Sequence, residues 1–269
     1  MDNILITGTK GFIGSNLKQH LQSDFNVIEV EEDIFDDVNW SNKLDNLFLE
    51  YKFKSVFHVG ACSNTLEQDV NYIMLVNYQF TKHLTDLCKS HNVKLIYSSS
   101  AANYGINGVY PSNLYGWSKY TSEDYVISNG GVALRYFNVY GPGENNKGRM
   151  ASVAYQMWNK NKNREKCFLF PKKPLRDFVY IKDIISANIW ADKTYQNIQG
   201  QKFEVGSGNM RSFEDVLSLL NITWEYLPES SIPQGYQFLT CSDKSKWLPG
   251  WSSNWSLEQG ISDYLLYLK

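Results

Sequence analysis

The chain has 269 residues, of which 43% are apolar and 20% charged, a balance that is typical of a folded globular protein and excludes general disorder. Its 26 basic and 28 acidic residues give a net charge of −2, so there is no basic excess of the kind that binds nucleic acid or an anionic membrane. No apolar run is long enough to span a membrane, no signal peptide is visible, and the four cysteines are scattered. These features predict a reduced, cytoplasmic protein.

Short runs rich in Val, Ile and Phe alternate with longer amphipathic segments through the first half of the chain. The predicted strands are Asn3–Thr7, Asn26–Val30, Ser55–Val59, Lys94–Ser98 and Val132–Tyr136. The predicted helices are Phe12–Ser23, Ser41–Tyr51, Asn71–Ser90 and Tyr115–Ser128. This alternation indicates βαβ units, and hence an α/β fold with a Rossmann-like, doubly wound parallel sheet.

A glycine-rich segment, T-G-T-K-G-F-I-G at 7–14, follows the first predicted strand and opens the first predicted helix. Gly8 would allow a tight turn, Gly11 a close approach of the backbone to a pyrophosphate, and Gly14 close packing of the helix on the sheet. The start of the helix, at Phe12 and Ile13, would offer free N–H groups to the phosphates. The spacing is G-x-x-G-x-x-G, which also occurs in ordinary turns, so the position between strand and helix is what predicts a dinucleotide site.

Three glutamates cluster at the end of the second predicted strand, where an acidic residue usually binds the adenosine ribose: Glu29, Glu31 and Glu32. They favour NAD over NADP, because a carboxylate accepts from a free 2′-hydroxyl, whereas Lys10 would favour a 2′-phosphate. Asp33 and Ile34 follow, at a position that could border the adenine. The alternative interpretation of the glutamates is a solvated loop.

A serine-rich strand end, S-S-S at 98–100, is followed by Tyr115 and Lys119 in a Y-x-x-x-K pair. At this spacing the tyrosine and lysine share one face of a helix. An ammonium group beside a phenol, with a nicotinamide charge nearby, lowers the pKa of the phenol and prepares it for proton transfer, and Ser100 would hydrogen-bond the same substrate oxygen. Most Y-x-x-x-K pairs are ordinary helix surfaces, but this one accompanies a glycine loop and serines at the carboxyl end of a strand, where open α/β sheets bind ligands.

With these motifs the chain resembles the extended short-chain dehydrogenase/reductases, a family of nucleotide-sugar epimerases and dehydratases, and within it most closely the ADP-glyceromanno-heptose 6-epimerases. The resemblance is carried by collinear segments across nearly the whole chain: T-G-T-K-G-F-I-G-S-N, F-H-V-G-A-C-S-N-T (57–65), S-S-S-A-A-N-Y-G (98–105), Y-G-W-S-K (115–119), R-Y-F-N-V-Y-G-P (135–142), N-K-G-R-M-A-S-V (146–153), R-D-F-V-Y (176–180), V-G-S-G (205–208) and G-Y-Q (235–237). Only G-A-C-S, K-G-x-M-A-S-V and G-Y-Q are specific to the heptose epimerase branch.

The resemblance implies an epimerase that inverts a carbinol centre by transient hydride transfer to bound NAD or NADP. It implies that Tyr115 is the catalytic acid/base, that Lys119 is its partner on the nicotinamide ribose, and that Ser100 positions the substrate. It further implies that Gly60 and Ala61 border the cofactor. The expected organisation is an NAD(P)-binding domain at 1–140 and a substrate-binding lobe at 141–269, interleaved with it.

Four residues of the second half acquire substrate roles through the resemblance. Lys147 would be a second acid/base facing the sugar, and Asn138 would contact the sugar or its diphosphate. Arg176 would bind the nucleotide or phosphate side, and Tyr236 would help to close the pocket. The alternatives are a solvated surface lysine at Lys147 and a structural ion pair of Arg176 with Asp177.

Several positions depart from the heptose epimerase pattern. The chain is short after the second predicted strand and between Ser100 and Tyr115; Gly143 stands where arginine is expected, Arg149 replaces a small residue, and Gly235 replaces a basic residue. A UDP- or GDP-sugar 4-epimerase, a nucleotide-sugar reductase and a non-catalytic NAD(P)-binding sensor therefore remain open. A 4,6-dehydratase is disfavoured because Ala101-Ala102 replaces the acid pair that it needs.

The remaining expectations concern partners, metals and packing. The partners expected are a nucleotide-diphosphate sugar and further copies of the chain, without nucleic acid or membrane. No cluster of residues has metal-ligand spacing, so no metal site is predicted. His58 is predicted to be a packed core histidine, and Cys62 a small packing residue.

Overall fold

The computed structural model describes residues 1–106, 108–234 and 236–268. The chain forms two compact units, each built from two segments. The first unit comprises Met1–Arg135 and Ile185–Phe203; the second comprises Tyr136–Ile184 and the chain from Glu204 onward. The domain division that the sequence predicts at residue 140 stays a prediction.

The strands and helices follow one another along the chain with short connections. The strands are β1 (Asn3–Thr7), β2 (Asn26–Val30), β3 (Phe53–His58), β4 (Lys94–Ser100), β5 (Val132–Tyr136), β6 (Asn138–Tyr140), β7 (Phe168–Leu169), β8 (Leu175–Tyr180), β9 (Lys202–Val205), β10 (Met210–Ser212) and β11 (Glu225–Tyr226). The α-helices are α1 (Phe12–Leu21), α2 (Trp40–Glu50), α3 (Val70–Ile73), α4 (Phe80–Ser90), α5 (Leu114–Ser128), α6 (Val153–Lys162), α7 (Ile181–Ile198), α8 (Phe213–Leu219) and α9 (Leu257–Leu265). Short 3₁₀ helices cover Glu32–Asp36, Ala101–Tyr104, Asn145–Met150, Glu229–Ser231 and Lys244–Lys246.

Six strands form the central parallel sheet in the order β2-β1-β3-β4-β5-β9. Ile4, Leu5 and Ile6 of β1 are at most 1% exposed, although successive side chains point to opposite faces. A strand that is buried on both faces carries a continuous apolar run, which is why the sequence reads as a parallel sheet covered by helices. The predicted fold class is confirmed.

The strand order reverses direction between β1 and β3, since β2 lies on one side of β1 and the later strands lie on the other. In open α/β sheets, ligands bind in the crevice beyond the carboxyl ends of the strands at such a switch point. The glycine loop follows β1, and Gly60 follows β3. The topology therefore places both glycine turns at the ligand-binding end of the sheet.

The second unit contains two small sheets. In the first, β8 lies between β10, to which it is antiparallel, and β6, to which it is parallel. In the second, β11 pairs with β7 in parallel. In the described part of the chain no helix has the length and apolarity needed to cross a bilayer.

The predicted helix at 71–90 is the element on which sequence and structure differ most. The structure has two helices there, α3 and α4, joined by a π-helical segment at Met74–Gln79. A π-helical segment inserts an extra residue into the turn and rotates the following side chains, which a regular period of 3.6 residues does not anticipate.

Candidate active site and cofactor site

The glycine turns after β1 and β3 are in direct contact. Gly8 has φ +71°, and a Cβ on Gly8 would lie 2.6 Å from the Cα of Gly60. A Cβ on Gly14 would lie 2.1 Å from the carbonyl oxygen of Gly8. Gly8 and Gly14 are therefore required by backbone packing, as the sequence predicts for a dinucleotide loop.

Gly11 has a different environment, since it is exposed and a Cβ there would meet only the Gly8 oxygen, at 3.2 Å. It is the N-cap residue of α1 and has extended backbone geometry, with no side chain to cap the helix. A helix N-terminus of this kind suits an anion, because backbone N–H groups and the helix dipole point toward it. The ring of Phe12 is buried in the core and Ile13 is half-buried, so these residues contribute backbone N–H groups at the helix start.

The carboxylate of Glu31 organises the glycine loop. Its Oε1 accepts from the backbone N–H of Thr9 at 2.6 Å, from the Thr9 hydroxyl at 2.5 Å and from the N–H of Lys10 at 3.2 Å. The Thr9 hydroxyl also contacts Glu29, which forms an ion pair with Lys18 at 2.6 Å. The glutamates are therefore part of the loop structure, and the alternative of a solvated loop does not describe Glu31.

Asp33 and Ile34 lie in the 3₁₀ helix that follows Glu31. Asp33 is exposed and pairs with Lys10 at 3.5 Å, whereas Ile34 is 9% exposed and packs in the core cluster with Val30. Lys10 thus pairs with a carboxylate. The acidic side chains at the end of β2, which we call the acidic rim, are Glu29, Glu31 and Asp33. The residues present fit a dinucleotide: they offer a glycine turn, an exposed helix N-terminus and an acidic rim.

A buried hydrogen-bond network fixes the turn at Gly60 against β1. The hydroxyl of Thr7 accepts from the N–H groups of Val59 and Gly60 at 3.0 and 2.8 Å and donates to Nδ1 of His58. Nε2 of His58 contacts the Thr81 hydroxyl at 2.7 Å, and that hydroxyl itself donates to the backbone oxygen of Asn77. The network is complete only if His58 carries its proton on Nε2. Burial lowers the pKa of His58 to about 3, so it is a neutral core residue, as predicted.

Asn77 joins the Gly60–Cys62 segment to helix α5, and the sequence analysis missed it. Its amide makes two hydrogen bonds with the backbone of Cys62, at 2.8 and 3.1 Å, and donates to the Ser118 hydroxyl at 2.8 Å. Ala61 is half-buried in this tethered segment. The signal that would have found Asn77 is a lone amide in the apolar run M-L-V-N-Y, at the π-helical segment, because such segments are frequent at functional sites.

Ser100 and Tyr115 come together at the end of β4. The Ser100 hydroxyl accepts from the N–H of Ala102 at 3.1 Å, which leaves its proton free to donate. Burial raises the pKa of Tyr115, and a hydrogen bond from Ser100 opposes that rise. Helix α5 approaches closely because Gly116 has no side chain: a Cβ there would lie 2.9 Å from the backbone oxygen of Ala102.

Lys119 lies one helical turn after Tyr115 and is 3% exposed. Its Nζ lies 4.3 Å from the ring centroid of Tyr97, over the face of the ring. Burial lowers the pKa of Lys119 to about 7, and the carboxylate of Glu123 opposes that change. In the Y-x-x-x-K pair Lys119 is thus buried and Tyr115 half-buried, so the pair is not displayed on an open helix surface.

Arg176 and Tyr236 are in contact in the second unit. The guanidinium of Arg176 lies 5.3 Å from the ring centroid of Tyr236 and donates to the backbone oxygens of Leu175 and Gln237, at 2.9 and 2.6 Å. Burial lowers the pKa of Arg176. Gly235, which precedes Tyr236, lies outside the described residues.

Asp177 is fully buried and accepts hydrogen bonds from Ser207, Gly208 and Ser242. Its carboxylate is therefore occupied by neutral donors, and Asp177 is not the ion-pair partner of Arg176.

Lys147 and Asn138 also belong to the second unit. Asn138 begins β6 and is exposed. Lys147 lies in the 3₁₀ helix at Asn145–Met150 and is half-buried; burial lowers its pKa, and the nearby carboxylate of Glu144 opposes that change. Glu144 is fully buried and accepts from the Ser152 hydroxyl at 2.8 Å and from the Tyr264 hydroxyl at 3.0 Å, so it holds this segment in place.

Among the described residues there is no group of three or more His, Cys, Asp or Glu side chains that could hold a metal ion. Cys62 is half-buried, and burial raises the pKa of its thiol.

Comparison with known proteins gives a consistent family. The model of the NAD dependent epimerase/dehydratase family matches residues 4–206. The chain is 34% identical to an ADP-L-glycero-D-manno-heptose-6-epimerase of Brachyspira hyodysenteriae, over 90% of each chain. The crystal structure of the Helicobacter pylori ADP-L-glycero-D-manno-heptose-6-epimerase is similar at a TM-score of 0.81 and 29% identity, covering 99% of this chain and 96% of that one. The UDP-glucose 4-epimerase of Thermotoga maritima shares the fold, with a TM-score of 0.84, 24% identity and 98% of each chain covered.

The matched region contains the glycine loop, the serine-rich strand end and the Y-x-x-x-K helix, which are the elements of the first unit on which the sequence places the cofactor and the reactive groups. The predicted resemblance and the NAD dependence are confirmed at the level of the family. The chain belongs to the NAD dependent epimerase/dehydratase family and is similar to its ADP-L-glycero-D-manno-heptose-6-epimerases.

Proposed function

We propose that the chain is a nucleotide-sugar epimerase that inverts C-6 of an ADP-linked glycero-manno-heptose. The observation that carries this proposal is the joint placement of Ser100, Tyr115 and Lys119 at the carboxyl end of β4, beside a glycine turn that fits a dinucleotide. The similarity to two heptose epimerases supports the choice of sugar nucleotide.

The cofactor proposed is NAD. The N–H groups at the start of α1 would bind the pyrophosphate, and the acidic rim at Glu31 would receive an unphosphorylated ribose. When bound, NAD supplies a hydride acceptor and donor for the carbinol carbon. A 2′-phosphate would instead meet the charges of Glu29, Glu31 and Asp33.

Tyr115 would remove and return the proton of the sugar hydroxyl. The Ser100 hydroxyl, which hydrogen-bonds Tyr115, would donate to the same substrate oxygen and stabilise charge that develops on it. Lys119 would contact the nicotinamide ribose, and its ammonium would favour the ionised form of the phenol. Burial, which raises the pKa of Tyr115 in the protein alone, makes this positive charge necessary for proton transfer near neutral pH.

Four residues of the second unit are proposed to serve the substrate. Lys147 would be a second acid/base, which would serve the substrate oxygen after the ketone has turned to present its other face for the return of hydride. A half-buried lysine whose pKa is lowered by burial suits that role. Arg176 would bind the diphosphate or the nucleotide, Tyr236 would help to close the pocket, and Asn138 would contact the sugar or its diphosphate.

The test is an assay of the purified protein with ADP-L-glycero-D-manno-heptose and no added cofactor. We expect its C-6 epimer to form, with NAD released on denaturation and identified by mass spectrometry. UDP-glucose serves as the comparison substrate. Conversion of UDP-glucose to its C-4 epimer in place of the heptose reaction would favour a UDP-sugar 4-epimerase, and net consumption of reduced cofactor would indicate a reductase.

The assembly into homo-oligomers and the cytoplasmic location stay predictions from the sequence. Light scattering of the purified protein would measure the oligomeric state.

A further inference from the structure

A buried carboxylate that the proposed reaction does not use lies in the first unit. Glu123, on α5, is 1% exposed. Its Oε2 accepts from the Ser99 hydroxyl at 2.7 Å, from the Asn103 amide at 3.1 Å and from Nε of Arg135 at 2.7 Å. Its Oε1 accepts from Nη2 of Arg135 at 2.5 Å and lies 3.6 Å from Nζ of Lys202.

These contacts come from both sides of Ser100. Ser99 precedes it at the end of β4, and Asn103 follows it in the 3₁₀ helix at Ala101–Tyr104. The amide of Asn103 also donates to the hydroxyl of Ser99, at 3.1 Å. A single carboxylate on α5 therefore binds the side chains of residues on each side of Ser100.

The same helix presents the other two reactive groups. Glu123 lies four residues after Lys119 and eight after Tyr115, so the three side chains lie along one face of α5. The Ser100 hydroxyl must reach the Tyr115 phenol across the gap between β4 and α5. Glu123 joins β4 to α5 at a position one helical turn after Lys119 in the chain.

Arg135 fixes the carboxylate itself. It is 6% exposed, and its guanidinium binds both oxygens of Glu123 while lying 4.6 Å from the ring centroid of Tyr104. Burial alone would lower the pKa of Arg135, but its hydrogen bonds to Glu123 more than offset that effect. A two-point guanidinium contact fixes the orientation of a carboxylate as well as its position.

We propose that Glu123 is a positioning residue, whose carboxylate, oriented by Arg135, holds the Ser100 end of β4 against the Tyr115–Lys119 face of α5. The inference rests on the proposed function, because it acts through the hydroxyl of Ser100. A misplacement of about 1 Å at a reacting group lowers a rate by roughly a hundredfold, so a residue of this kind affects turnover without contacting substrate.

The first experiment is a double-mutant cycle between Glu123→Gln and Ser100→Ala, assayed with ADP-L-glycero-D-manno-heptose. We expect Glu123→Gln to lower kcat at least about tenfold, with little change in KM or in the amount of bound cofactor. We expect Ser100→Ala to cost much less in the Glu123→Gln background than alone, because its hydroxyl is already misplaced. Additive effects, or an unchanged kcat in Glu123→Gln, would overturn the proposal.

The second experiment separates positioning from stability. Lys94→Met removes a partly buried ion pair with Asp192, 3.1 Å in length, at the opposite end of the same strand β4. We expect this control to lower Tm while kcat is unchanged. If Glu123→Gln does not fold, the double variant Glu123→Met/Arg135→Met replaces it, because removing both partners of a buried pair together is tolerated better than removing one.

The outcomes also distinguish this inference from the proposed function. A loss of kcat in Ser100→Ala but not in the Glu123 variants would overturn the positioning role alone. No loss in either would contradict the proposed role of Ser100 and, with it, the positioning role.

Discussion

The hydroxyl of Ser100 opposes the rise that burial causes in the pKa of the Tyr115 phenol, although fourteen residues lie between them in the chain and they belong to different elements. Ser100 ends β4 and Tyr115 lies at the start of α5, whose close approach depends on Gly116. The contact gives the phenol a donor that stabilises its ionised form, which is the form that removes a proton.

Replacing Tyr115 by Phe should strongly reduce epimerisation and leave the fold intact. The variant loses the group that moves the substrate proton, so we expect the rate of epimer formation to fall roughly 10²–10⁴-fold. Tyr120→Phe, at a half-buried ring on the same helix, is the matched control and should keep full activity. Unchanged turnover in Tyr115→Phe would show that the proposed mechanism is wrong.

Two glycine substitutions should separate packing from cofactor binding. Gly14→Ala places a Cβ 2.1 Å from the Gly8 oxygen, so Tm should fall by several degrees and cofactor should be lost. Gly11→Ala meets only that oxygen at 3.2 Å and has an ordinary φ, so Tm should change little while bound NAD decreases. Thermal unfolding and NAD content measure the two effects; full retention of NAD in Gly11→Ala would contradict the placement of the pyrophosphate.

The charge of Glu31 should set the choice of cofactor. Glu31→Gln keeps an oxygen to accept from Thr9 and Lys10 but removes the charge that opposes a 2′-phosphate. We expect the ratio of NAD to NADP affinity to fall about tenfold, or about 1.4 kcal/mol, by titration of the cofactor-free protein. Glu50→Gln, at the exposed end of α2, is the control. If the ratio of NAD to NADP affinity were the same in both variants, Glu31 would have no role in selecting the cofactor.

The buried ammonium of Lys119 should be visible in the pH dependence of stability. Its pKa is about 7 in the folded protein against an ordinary value of 10.5, so between these values the unfolded chain holds more protons, and the unfolding free energy rises with pH. Below about pH 7 the full cost of the buried charge is present. Lys119→Met lacks this cost, so the amount by which its Tm exceeds that of the unaltered protein should be largest below about pH 7 and should shrink as pH rises toward 10.5.

Thermal unfolding of the two cofactor-free proteins at about pH 6 and about pH 9.5 measures that difference. Titrating groups that do not interact with Lys119 are common to both proteins and cancel, and His58, whose pKa is about 3, stays neutral at both pH values. A Tm difference that stays constant with pH would contradict the low pKa of Lys119.

Lys147 should be needed for epimerisation but not for binding. Lys147→Met removes a half-buried ammonium, and we expect epimer formation to fall roughly 10²-fold or more while bound NAD stays constant. Lys172→Met removes an exposed lysine that pairs with Glu229 at 2.9 Å, and it should leave the rate unchanged. Equal activity of the two variants would show that Lys147 takes no part in the reaction.

The sequence predicted most of the first unit correctly because its signals are local. A strand that is buried on both faces has a continuous apolar sequence, and a dinucleotide glycine loop lies between a strand and a helix. Both patterns can be recognised in the sequence without knowledge of tertiary contacts. The five predicted strands are present; β3 begins two residues earlier and ends one residue earlier than predicted, and β4 is two residues longer at its carboxyl end. The prediction of a neutral, packed His58 also followed from its place inside an apolar strand.

What the sequence could not predict depends on pairs of distant residues. Asn77 and Glu123 look like ordinary polar positions of helices, yet each is nearly fully buried and joins segments that only the fold brings together. An ion pair of Arg176 with Asp177 was one expectation, because the two neighbours have opposite charges. In the structure the Asp177 carboxylate instead accepts hydrogen bonds from Ser207, Gly208 and Ser242.

The sequence by itself thus determined the alternation of strands and helices and the position of the glycine loop, because each depends on a periodicity or a spacing within a short segment. The roles of Ser100, Tyr115 and Lys119 stay predictions. The tertiary structure alone decided which buried carboxylates and amides, such as those of Glu123 and Asn77, join distant segments of the chain. Burial is the physical reason: a polar group removed from water must find a partner, and which partner is near is set by the packing of the sheet and not by the order of residues in the chain.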